Sequence, residues 1–283
     1  IPRAKKPAPL TSLLPAPGSV SSGGTVPVGT AISNSLKIPK GPGLKKAFDL
    51  AREAMRIIDS VHGDGNLLDL AFKASASTSY YGAYTHRPGR GGDVMKLSKS
   101  GIASHPLMTV AHETGHWLDD MALGKGLNAK PIVSDAPRLT KVRGRWTTTR
   151  TVGLGIQPAA PPGFTNIGSF TSSDPRNSMP EMKALKDALG ASAAYQALMA
   201  RPAGMTFKQW NYYKSPWETF ARAYSQYVAV KSGEPAMMLE LLGFQSDMKA
   251  GKTPPIQWQA SDFKPIEDAF DRLFLALGWL KKG

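Results

Sequence analysis

The sequence predicts an α+β fold, a small mixed sheet and a central helix in the N-terminal half followed by a mostly helical C-terminal part. Three observations predict it. Apolar residues recur at helical spacing shortly after residue 44. Short strand-like runs separated by Gly and Pro follow between residues 67 and 98, and from Met179 onward helical segments alternate with Pro and Gly breaks.

Residues 1–43 read as a basic arm, not a domain. Eight prolines (Pro2, Pro7, Pro9, Pro15, Pro17, Pro27, Pro39 and Pro42) punctuate it, and no acidic residue precedes Asp49. Such a segment cannot bury enough apolar surface to offset its own ordering entropy. The folded part is expected over 44–283. Ala47, Leu50, Ala51, Ala54, Ile57, Ile58 and Val61 predict a helix over about 45–61 that stops before His62-Gly63-Asp64-Gly65. Leu67–Lys73, Tyr80–His86 and Asp93–Ser98 read as strands, the last two joined by a Gly-rich turn. A long insertion over about 124–180 is rich in Gly, Pro, Thr and basic residues; it reads as a lid, a binding loop, a hairpin over Lys141–Gly153 or a partner-binding element. Helices are then expected at about 180–189, 191–200, 206–213, 216–231, 235–243 and 262–280, the last with an apolar face running from Phe263 to Leu280. There is no internal repeat.

Between the strands and the insertion lies Met108 to Asp120, which contains His112-Glu113-Thr114-Gly115-His116. Residues four apart share a helix face, so both imidazoles can reach one metal ion, with Glu113 placed to take a proton from a nearby water. With five His and seven Glu in the chain, chance predicts on the order of 0.002 such patterns. Leu107, Ala111, Leu118 and Met121 form an apolar stripe, and Ser104 as N-cap with Pro106 in the first turn predicts a helix over about 105–123.

This helix resembles the active-site helix of zincin metallopeptidases, and the preceding helix and strands match their N-terminal layout. The resemblance implies a zincin-like fold, a Zn2+ cofactor and an edge strand, here assigned to Val94–Leu97, that pairs with extended substrate. A metzincin would need a third His where Ala122 stands. Ser215-Pro216-Trp217-Glu218-Thr219-Phe220-Ala221-Arg222 is similar instead to the S-P-x-E-x-F-A-R glutamate helix of gluzincin-like HExxH domains in phage and mobile-element proteins. That resemblance carries the third ligand onto Glu218, although about a hundred residues separate it from His116, far more than in thermolysin-like enzymes. The competing reading of Glu218 is a capping box with Ser215 plus an ion pair with Arg222. Asp119 and Asp120 are rival ligands or orienting partners of a histidine, and Asp135 is a distant option.

Composition narrows the chemistry. The absence of cysteine excludes disulfides and thiolate ligands. Nothing in the spacing of His62, His86 and His105 suggests a three-histidine site. No apolar run approaches the length of a membrane span, and no signal-peptide pattern is visible; the start at Ile1 is compatible with a processed product. A net charge of +14 favours anionic partners or reflects solubility. The expected activity is zinc-dependent hydrolysis of peptide bonds, in proteins or in peptidoglycan cross-links, with Glu113 as base. Tyr212, Tyr213, Tyr224, Arg222 and His105 are candidate donors to the developing oxyanion. The alternative is a non-enzymatic virion or assembly protein whose basic arm binds a partner protein or nucleic acid. The phage resemblance implies the virion or the host cytoplasm as location.

Overall fold

The first helix, α1 (Leu44–Val61), turns Ala47, Ala51, Ala54, Met55, Ile57 and Ile58 inward. It keeps Lys45, Asp49, Arg52, Glu53 and Arg56 outward, where they form pairs three and four residues apart. It is the amphipathic helix the periodicity predicts. The structure, a computed structural model, describes residues 26–27, 44–62, 64–65, 71–75, 79–85, 94–119, 138–142, 145–149, 180–277 and 279–280. Most of the arm, Asp120 and much of the 124–180 insertion lie outside the described residues.

One short ladder involves the arm: β1 (Val26–Pro27) pairs antiparallel with β2 (Asp64–Gly65). The main sheet has three strands, β3 (Ala71–Ser75), β4 (Gly82–Thr85) and β5 (Val94–Ser98), in the order β3-β5-β4. β5 runs parallel to β3 and antiparallel to β4. This corrects the assignment of Val94–Leu97 as the edge. β5 buries Val94, Met95, Leu97 and Ser98 and is paired on both sides, so its backbone groups are already used. The edge beside the motif helix is β4.

Ser98 caps the short helix α2 (Lys99–Ala103), its hydroxyl accepting from the Gly101 N–H at 3.1 Å. Ser104 ends that helix and does not cap the next, a second correction. The motif helix α3 (Pro106–Trp117) begins with His105 at the N-cap, which makes no side-chain cap. Its open N–H groups are met from elsewhere: Leu107 and Met108 donate to the Glu240 carboxylate at 3.2 and 2.8 Å. A carboxylate also suits the positive end of the helix dipole. A π-type turn follows at 118–119.

The strands β6 (Arg138–Val142) and β7 (Arg145–Thr149) form a hairpin that lies N-terminal to the one read from Lys141–Gly153. It flanks Arg143-Gly144, a two-residue spacing with the glycine that short hairpin loops favour. The C-terminal part supplies α4 (Pro180–Ala191), α5 (Ala193–Met199), α6 (Phe207–Tyr213), α7 (Pro216–Ser232), α8 (Pro235–Lys249) and α9 (Ala260–Ala276). All six helices that the periodicity predicts are present.

The core sits where α3 and α7 cross, closed by α1 on one side and α9 on the other. α3 is buried nearly all round, and α7 from Glu218 to Ala229 is buried without a break. The crossing is close because Gly115 has no side chain: a Cβ there would lie 2.9 Å from the Ala221 Cα and 3.2 Å from the Tyr224 ring. The architecture is mostly helical with small sheets, within the α+β class. No helix among the described residues is long and apolar enough to cross a membrane.

Candidate metal centre

His112 and His116 sit one turn apart on α3, and Glu218 sits in the first turn of α7. The α3–α7 crossing brings them together. The two Nε2 atoms are 3.1 Å apart, Glu218 Oε2 is 3.4 Å from His112 Nε2, and Oε1 is 3.3 Å from His116 Nε2. A divalent ion held tetrahedrally at roughly 2.0–2.1 Å sets neighbouring ligand atoms roughly 3.3–3.4 Å apart. The nitrogen–nitrogen separation and the two nitrogen–oxygen separations, each to a different oxygen of Glu218, are close to that spacing, and one ligand atom from each residue lies within 4.8 Å of the other two. The donor set of two imidazoles and a carboxylate fits a borderline divalent metal such as zinc.

Glu218 neither caps its helix nor pairs with Arg222 in the way an exposed residue would. Ser215 stands at the N-cap, but its hydroxyl donates to the Tyr212 carbonyl at 2.6 Å and no side-chain cap forms. The Arg222 guanidinium is spent on carbonyls, those of Glu218 at 3.1 Å, Ile256 at 2.8 Å and Tyr213. The Glu218 carboxylate is thus left to the histidines and to the Tyr212 hydroxyl. Burial would raise its pKa, yet the charges and hydrogen bonds of His116 and His112 hold it well below the usual carboxylate range. Burial pulls His116 down while Glu218, Glu113 and Asp119 pull it up, and they prevail at about 9.

Glu113 lines the same cleft as His112 and Glu218. It is 5% exposed, and burial raises its pKa against the opposing pull of His112 and His116. Its carboxylate receives the Tyr84 backbone N–H of β4. Gly82, also on β4, leaves room for it: a Cβ there would lie 2.7 Å from Glu113 Oε1. Neither Gly82 nor Gly115 was singled out from sequence. A glycine inside a strand or a helix interior, flanked by larger residues, is the signal that could have found both.

The cleft beside the triad encloses about 630 Å3. Tyr212, Tyr213 and Arg222 line it, whereas Tyr224 and His105 do not. The Tyr212 hydroxyl hydrogen-bonds Glu218; burial and the Glu218 and Glu113 charges push its pKa upward. Tyr224 is fully buried with its hydroxyl on His62 at 2.9 Å. His105 stacks on Phe244 at 3.9 Å between ring centres. Asp119 is buried three residues after His116, where its charge acts on that imidazole; it is not among the three converging ligand groups. Asp120, Asp135 and His86 lie outside the described residues.

The glycine at the crossing gives a test of the geometry. Gly115→Val is expected to force α3 and α7 apart and to lower metal affinity by at least about tenfold, as losses of supporting contacts around metal ligands do. Equilibrium dialysis against zinc measures it, with circular dichroism to verify that the variant is helical.

Comparison with known protein families, with curated proteins and with solved structures gives no match for this chain.

Proposed function

We infer that the protein is a zinc-dependent peptide-bond hydrolase of zincin-like architecture. The observation that carries this reading is the convergence of His112, His116 and Glu218 beside a buried Glu113 that belongs to none of their pairings. The two imidazoles and the Glu218 carboxylate would hold the ion. When bound, zinc supplies Lewis acidity, polarising a carbonyl and making water a better nucleophile near neutral pH.

The remaining work falls to the chain's own residues. Glu113 accepts a proton from the attacking water as its oxygen bonds to the scissile carbonyl carbon. It then returns that proton to the nitrogen as the C–N bond breaks, so the carboxylate is regenerated. Its raised pKa brings the proton affinity closer to what both transfers need. Tyr213 stands at the cleft, where its hydroxyl would donate to the charge that develops on the carbonyl oxygen, whereas Tyr212 gives its O–H to Glu218. Among the described residues β4 is an outer strand of the three-strand order, and it borders the site through Gly82 and through Tyr84, whose N–H is given to Glu113. An extended peptide would lie along that strand.

Glu113→Gln tests the scheme. The amide keeps the shape and does not touch the three ligand groups, so bound zinc is expected to stay at one per chain while hydrolysis of casein or purified cell wall falls roughly 10²–10⁴-fold. Full activity in a variant that still holds zinc would sink the scheme. Zinc binding by the wild type with neither substrate cleaved would favour the non-enzymatic assembly reading.

A further inference from the structure

Four of the seven residues of α6 are aromatic, Phe207, Trp210, Tyr212 and Tyr213, and none of the seven is buried. Phe207 is 60% exposed and Tyr212 49%. The Phe207 and Trp210 rings lie side by side, 5.7 Å between centres, and the Tyr212 and Tyr213 rings 5.3 Å. A helix with this many rings and no buried residue leaves apolar surface exposed where a core-facing helix would hide it, the mark of a contact surface.

Cations frame the rings. Lys214 places its ammonium 3.3 Å from the centre of the Trp210 ring, and Arg201 lies 6.0 Å from that of Phe207. Lys208 is exposed between them in sequence. No acidic residue occurs from Ala188 to Trp217. The strip therefore combines exposed rings with cations, and meets a carboxylate, Glu218, only at its Tyr212 end. Its Tyr212 end opens into the metal cleft.

We propose that this strip binds single-stranded nucleic acid, with unpaired bases stacking on the exposed rings and phosphates meeting Arg201, Lys208 and Lys214. An acidic polypeptide satisfies only half of the pattern. Its carboxylates would gain little from solvent-exposed cations, and they offer nothing to the rings. Unstacked bases supply a π face and a phosphate at every step. The strip is independent of the hydrolase reading, although its position would present nucleic-acid-bound proteins to the cleft.

The test uses the full chain and a fluorescently labelled oligothymidylate about 20 nucleotides long, compared with an abasic strand of equal length. The basic arm contributes phosphate contacts that cannot tell the two strands apart, so the ratio of affinities isolates the rings. The wild type is expected to bind the base-bearing strand at least about tenfold more tightly, and Phe207→Ala to bring that ratio close to one. Lys208→Glu weakens both strands alike. Phe207 is mostly solvent-exposed, so its loss leaves the core intact, and the readout involves neither zinc nor hydrolysis. Equal affinity of the wild type for both strands overturns the proposal, as does a ratio that Phe207→Ala leaves unchanged. Binding of a labelled polyglutamate that depends on Phe207, with the two strands indistinguishable, reassigns the strip to an acidic polypeptide.

Discussion

Glu218→Ala is expected to strip the metal from the protein. Elemental analysis of the wild type should return about one zinc per chain and of the variant close to none after the same dialysis. The expectation rests on what remains. Two imidazoles on one helix leave an ion with half of its coordination to solvent, and the buried pocket loses the carboxylate that contacts both rings. The loss of affinity should exceed the roughly 10–100-fold typical of removing an outer partner, since a direct donor is gone. Glu218→Gln separates charge from shape, and it is expected to bind zinc more weakly than wild type while its fold is retained. Full zinc content in Glu218→Ala would return the third position to Asp119 or to a residue outside the described segments. Full content in Glu113→Gln alongside loss in Glu218→Ala would keep the roles of the two carboxylates apart.

How much of this was legible in the sequence depends on the range over which each interaction acts. The motif helix follows from local spacing, and so does the orientation of His112 and His116 on one face. The first-turn position of Glu218 is equally local, but its partner is not. Ser215-Pro216-Trp217-Glu218 has the pattern of a capping box, and only the α3–α7 crossing turns the carboxylate away from its own helix end. That crossing is set by Gly115 against Ala221, a contact between residues 106 positions apart for which no periodicity speaks. The N-terminus of α3 gives the same lesson. Ser104 has the right identity for a cap, but it is taken by α2, and Glu240 reaches across from α8 to do the work. Strand order failed for a related reason. The adjacent apolar pair Val94-Met95 marks burial on both faces, which is a central strand's signature, and the edge fell to the shorter, glycine-containing β4.

Acid is expected to cost the fold about 3 kcal/mol through one side chain, His62. It is fully buried, far along the sequence from the motif, and packed among Tyr224, which stacks on it, Tyr227 and the edge-on Phe274. The Trp279 carbonyl, 3.0 Å from Nδ1, can only accept, so Nδ1 carries the hydrogen and Nε2 accepts from the Tyr224 hydroxyl at 2.9 Å. Burial lowers its pKa from 6.5 to about 4, against the Trp279 bond that favours the charged ring. The unfolded chain therefore takes up a proton on this ring near pH 6.5, and the folded chain only near pH 4. Stability from this group is complete above the unfolded value and drains away as pH falls through that window. His62→Gln cannot titrate, so urea unfolding followed from pH 7 to pH 4 should show wild type losing about 3 kcal/mol more than the variant. Parallel curves for the two proteins would mean that the ring is not shielded as the packing requires. The protonated ring would also oblige the Tyr224 hydroxyl to turn and accept, and the Tyr224 ring is what Gly115 packs against. Acid unfolding and loss of the α3–α7 geometry should accordingly begin together, with zinc release tracking the same transition.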